Sequence, residues 1–92
     1  MSFFRRGARA HPPISLRLLS RPGCHLCDDM RVRLAPVLEQ TGVPLTMVDV
    51  DSDPELRERW GNEIPVLLDE EGSVVAKARD TEAKIRQRLL SR

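Results

Sequence analysis

Apolar positions along this chain alternate between strand-like runs and helical spacing. Residues 14–20 read Ile-Ser-Leu-Arg-Leu-Leu-Ser. Ile14, Leu16 and Leu18 share one face and Leu19 takes the other, which predicts a strand covered on both sides. From His25 to about Gln40 the period changes. Cys27, Met30, Leu34, Val37 and Leu38 recur at three and four residues, the spacing of one helix face. Pro36 lies inside this stretch and is expected to kink the helix or end its regular part. Residues 45–50 (Leu-Thr-Met-Val-Asp-Val) predict a second strand, and Pro54–Trp60 a short helix in which Trp60 packs inward. Val66–Asp69 and residues 73–78 predict two more strands. Ile85 and Leu89, four apart, give the buried face of a last helix reaching about Leu90.

The breakers between these runs place the turns. Pro22 has no donor N–H and Gly23 admits backbone angles closed to other residues, so Arg21-Pro22-Gly23 ends the first strand. Asp28 and Asp29 are expected in the first turn of the long helix, where its dipole favours anions. Gly42 and Pro44 close that helix. Asp51-Ser52-Asp53-Pro54 is a helix-start signal, and Glu70-Glu71-Gly72 a solvated hairpin turn. Asp80 or Thr81 caps the last helix. The order is β-α-β-α-β-β-α. A parallel first pair joined through a helix and an antiparallel last pair make this an α/β fold with a mixed sheet.

Ninety-two residues suffice for one domain with a single core. Phe3, Phe4 and Trp60 are the only aromatic residues, so that core must be aliphatic. No apolar run approaches the roughly 20 residues of a membrane-spanning helix, and no membrane partner is expected. A net charge of +1 argues against nucleic acid as a partner. Residues 1–13 carry Arg5, Arg6 and Arg9, no acid, no usable periodicity, and end in Pro12-Pro13. They read as a flexible basic tail before a domain at 14–92. The tail lacks the apolar stretch of a secretory leader, so a reducing cytoplasm and a monomer are expected.

The candidate chemistry rests on Cys24 and Cys27, the only cysteines, in Cys24-His25-Leu26-Cys27. Two thiols at this spacing can close a disulfide across one helical turn. Cys24 falls at the start of the long helix, where a negative charge is favoured by about 0.3–1 kcal/mol. That marks Cys24 as an attacking thiolate and the inward-facing Cys27 as its resolver. Arg21 and His25 flank the sulfur and are candidate thiolate-tuning residues. Half a zinc site and an inert core pair are the other readings. Zinc requires about four ligands, and beyond the two cysteines the chain offers only His11 and His25, so no metal site is expected. A second signal is Ile64-Pro65, just before a strand. A cis bond there would present the Ile64 backbone to an extended substrate segment or to glutathione.

Ser20-Arg21-Pro22-Gly23-Cys24-His25-Leu26-Cys27, then Val48-Asp49-Val50-Asp51, then Glu63-Ile64-Pro65-Val66-Leu67, resemble in order and spacing the glutaredoxin-like branch of the thioredoxin superfamily. The resemblance spans roughly residues 16–90. It implies a thioredoxin-like fold, a four-stranded mixed sheet flanked by helices, with Cys24 as nucleophile, Cys27 as resolver and Pro65 as a cis proline. Arg21 falls where many such proteins hold a glutathione carboxylate, and Asp80 and Thr81 lie where the ligand meets the last helix. The chain departs from the family pattern at three places. His25-Leu26 replaces the common Pro-Tyr, Glu63-Ile64 replaces Thr-Val, and Ala76-Lys77-Ala78-Arg79 replaces a glycine pair.

The implied activity is thiol–disulfide exchange on protein or glutathione mixed disulfides. No bound cofactor is expected. Glutathione, a reductase or another dithiol donor would supply the electrons. A non-catalytic module that holds a partner peptide beside Ile64-Pro65 is the alternative, and a metal carrier a third.

Overall fold

The computed structural model describes residues 14–90, so the expected tail at 1–13 lies outside the described residues. Four strands and three helices follow the predicted order. They are β1 (Leu16–Ser20), α1 (His25–Thr41), β2 (Leu45–Asp49), α2 (Pro54–Trp60), β3 (Val66–Asp69), β4 (Val74–Lys77) and α3 (Glu82–Leu90). The sheet order is β2-β1-β3-β4. β1 runs parallel to β2 and antiparallel to β3, and β3 runs antiparallel to β4. This is the mixed four-stranded sheet of a thioredoxin-like fold.

The alternation in β1 divides the core in two. Leu16 and Leu18 pack with Met30, Leu34 and Val37 of α1 and Ile85 and Leu89 of α3. Leu19, on the opposite face, packs with Val50, Trp60, Val66 and Leu68. β3 is buried along its whole length because it is a central strand covered on both sides. In β4 the register skips Val75, and both Val75 and Ala76 join the α1–α3 cluster. An irregularity of this kind turns two consecutive side chains toward one layer.

Several local expectations are corrected. α1 runs through Pro36 to Thr41 without ending there. Pro36 is on the exposed side of the helix, while Leu34 and Val37 remain buried on the other. Ile14 precedes the strand and is 74% exposed. Residue 50 leaves β2 and opens a single 3₁₀ turn, Val50–Ser52, with Asp49 accepting from the Asp51 N–H. Only Asp28 lies in the first turn of α1, and Asp29 falls just beyond it. Asp69 was not expected in the core but is fully buried. Its Oδ1 accepts the N–H groups of Glu71 and Ser73, each at 2.9 Å, and so shapes the β3–β4 turn from inside.

Candidate functional site

The site begins at a tight turn. The Cys24 N–H donates to the Arg21 carbonyl at 3.1 Å, and Gly23 has φ of 80°. With proline at the second position and a positive φ at the third, Arg21-Pro22-Gly23-Cys24 carries the signature of a type II turn. The turn delivers Cys24 as the N-cap of α1, in an extended conformation, with its Sγ accepting the Cys27 N–H at 3.1 Å. The Cys24 sulfur thus occupies the place where a capping oxygen usually satisfies an unpaired helix donor.

Cys24 and Cys27 are joined as a disulfide, with Cα atoms 5.2 Å apart. Cys24 is half-buried and Cys27 is 2% exposed, packed at the first turn of α1. His25 and Leu26 between them point outward, Leu26 being 56% exposed. One sulfur is therefore reachable and the other sheltered.

The Ile64–Pro65 bond is cis. In the antiparallel β1–β3 pair, Leu19 faces Val66, so Pro65 and Ile64 lie at the same end of the sheet as the turn that follows Ser20. Ile64 precedes the strand ladder, and its backbone takes no part in strand pairing.

Arg21 is not free. Its Nε and one terminal nitrogen donate to the two Asp51 oxygens at 2.7 and 2.9 Å, and the other reaches the Gly61 carbonyl at 3.4 Å. β1 and β2 are parallel and end together at Ser20 and Asp49, so residues just beyond each strand meet. Asp51 is drawn below the ordinary carboxylate range, first by the Arg21 hydrogen bond, with burial opposing and the Arg21 and Arg57 charges adding. Thr81, not Asp80, caps α3, its Oγ1 accepting the Lys84 N–H at 3.2 Å. Asp80 instead closes the β4–α3 turn by accepting from the Lys77 N–H and from Arg88. Burial pushes the Asp80 carboxyl up, but those two donors outweigh it and hold it lowered.

Two further contacts of the site, those of Lys77 and Arg33, carry no local signal in the sequence. Lys77 pairs with Glu63, next to Ile64, and its ammonium lies 5.5 Å from the Trp60 ring centre. Arg33 of α1 donates to the carbonyls of Ala78 and Asp80. Arg33 falls on the flank of the buried helix stripe, a position whose charge gives no local sign of its target. Among the described residues, no three or more His, Cys, Asp or Glu side chains gather as a metal site.

Residues 15–90 match the model of the glutaredoxin-like domain (DUF836). The chain belongs to this glutaredoxin-like family. It is 33% identical over 58 residues to the uncharacterized proteins Rv0508 of Mycobacterium tuberculosis and Mb0520 of Mycobacterium bovis. That match takes in 58% of this chain and 60% of each relative. The X-ray structure of protein XcR50 from X. campestris is similar at 30% identity and a TM-score of 0.65, over 78% of this chain and 91% of that one. Protein Ne2328 of Nitrosomonas europaea shares the fold at 23% identity and a TM-score of 0.73, over 88% of this chain and 95% of that one. In this glutaredoxin-like domain the disulfide-bonded Cys24–Cys27 pair provides redox capacity. None of its described helices is long and apolar enough to cross a membrane.

Proposed function

We propose that this chain is a small thiol–disulfide oxidoreductase of glutaredoxin type, acting on protein or glutathione mixed disulfides. The supporting observation is the disulfide between a half-buried N-capping Cys24 and a buried Cys27. After reduction, the Cys24 thiolate attacks one sulfur of the substrate disulfide. A Cys24–substrate bond forms, the substrate S–S bond breaks, and the departing thiolate takes a proton from water. Cys27, as thiolate, then attacks the Cys24 sulfur and releases the second substrate thiol. Two electrons have passed to the substrate and the pair is oxidised. Two glutathione thiols, or one dithiol protein with its reductase, return it to the starting state.

The unpaired N–H groups at the start of α1 favour negative charge on Cys24, and His25 beside it adds a donor to the same surface. The substrate backbone would lie along Ile64, ahead of the strand ladder. Arg21, Asp80 and Thr81, the other candidate ligand contacts, are each engaged within the fold and would reach a ligand only by sharing or giving up a partner.

The test is turnover of a mixed disulfide by wild type, Cys24→Ser and Cys27→Ser. One arm uses glutathione with glutathione reductase, the other a dithiol protein with thioredoxin reductase. Wild-type turnover in either arm, lost in Cys24→Ser, is expected. Turnover undiminished in Cys24→Ser, or absent from wild type in both arms, would leave a peptide-holding module as the better reading.

A further inference from the structure

Beside Ile64 runs an open groove of about 650 Å³, lined by residues that include Glu63, Lys77, Arg79, Asp80 and Arg88. Its charges are balanced in pairs. Lys77 is bound to Glu63, and Arg88 to Asp80. Arg79 is exposed and, among the described residues, has no hydrogen-bonding or ionic partner. The groove therefore carries one uncompensated positive charge.

The backbone around that charge is held from several directions. Arg33 reaches from α1, the helix that Cys24 caps and that carries Cys27, to the carbonyls on either side of Arg79, those of Ala78 and Asp80. The Asp80 carboxylate and N–H bond in turn to the Lys77 N–H and carbonyl. A cation on a fixed turn loses little backbone freedom when it binds a carboxylate, and a guanidinium meets a carboxylate with two parallel hydrogen bonds. By contrast, Arg21 already has that arrangement with Asp51 and is not available for it.

We infer that Arg79 is a specificity-determining residue, and that the groove takes an acidic segment flanking the disulfide of a protein substrate. This rests on the oxidoreductase reading above and names the substrate class of the same site.

Three disulfide-bonded reporter peptides, with glutamate, glutamine or lysine flanking the cysteine, separate the two ideas. Wild type is expected to favour the acidic peptide over the neutral one in kcat/KM by about fivefold, the upper range of an exposed ion pair. The lysine peptide should be slower than the neutral one. The acidic-to-neutral ratio should fall toward one in Arg79→Gln and invert in Arg79→Glu. Arg86→Gln, a cation outside the groove and paired with Glu82, should keep the ratio. Equal rates for all three peptides in an active wild type would overturn the inference while leaving the oxidoreductase reading intact. If wild type turns over none of them, the oxidoreductase reading fails, and binding decides the inference alone. For that measurement the Cys24→Ser/Cys27→Ser protein is titrated with the reduced peptides. Weaker binding of the acidic peptide in the added Arg79→Gln background supports the groove assignment, and unchanged binding refutes it. Displacement of the acidic peptide by S-methylglutathione would also overturn it, in favour of glutathione as the groove's occupant.

Discussion

Arg21 grips Asp51 with two hydrogen bonds, 2.7 and 2.9 Å long, across the ends of two parallel strands. The pair ties the turn that carries Cys24 to the segment leaving β2. It also engages the cation that the resemblance assigns to a ligand carboxylate. Its pH dependence follows from the direction of the Asp51 shift. A carboxyl lowered in the folded state contributes stability above its unfolded value, and loses it as pH falls through the folded value. The contribution is thus complete above about pH 4 and disappears in more acidic solution. Asp51→Asn should flatten this part of the stability profile. Urea midpoints between about pH 5 and pH 2 for both proteins measure it, and equal slopes would contradict the assignment.

Gly23 has φ of 80°, and an added Cβ there meets no heavy atom within 4 Å. The cost of Gly23→Ala is therefore conformational rather than steric. It should destabilise the fold by about 1–2 kcal/mol, the penalty of a left-handed backbone in a residue with a Cβ. Thermal denaturation of the variant reads this directly.

Cys24 caps α1 in a half-buried position, whereas Cys27 is almost wholly enclosed. In the reduced protein at neutral pH, iodoacetamide should label Cys24 at least about tenfold faster than Cys27, because the thiolate reacts and access limits the other sulfur. Peptide mapping after brief labelling gives the ratio. Comparable labelling of both would remove the division into attacker and resolver.

The Thr81 hydroxyl accepts the Lys84 N–H at the start of α3. Thr81→Ala should cost about 1 kcal/mol, while Thr81→Ser should cost much less because it retains the oxygen. Denaturation midpoints of the two variants distinguish a cap from a general packing effect.

Leu34 is fully buried between α1 and the sheet. Leu34→Ala should destabilise by about 2–5 kcal/mol, combining lost burial with a residual cavity. Val32→Ala, on the exposed side of the same helix, should change stability by about 0.5 kcal/mol or less. A small difference between the two would place the helix face incorrectly.

What was legible in the sequence was local. Spacing at two, three and four residues identified the elements, and Pro22-Gly23 and Gly42 marked their ends, because each signal involves neighbours along the chain. Cys24 and Cys27 could be set at a helix start on the same grounds. That α1 would continue past Pro36 was not legible, because a proline's effect depends on which side of its helix meets water. Ile14 misled because strand periodicity continues past the last paired residue. Asp69 gave no warning because its partners are main-chain groups of the turn it organises.

The sequence by itself determined the element order, the two-cysteine site at the head of α1 and the proline at the start of β3. Tertiary structure alone decided which charges are spent and which are free. Arg21 lies 30 positions from Asp51, and Arg33 lies 45 and 47 positions from the carbonyls of Ala78 and Asp80. A solvated arginine and a paired one are identical as letters. Strand order and register bring the partners together, so they also separate an occupied Arg21 from an open Arg79.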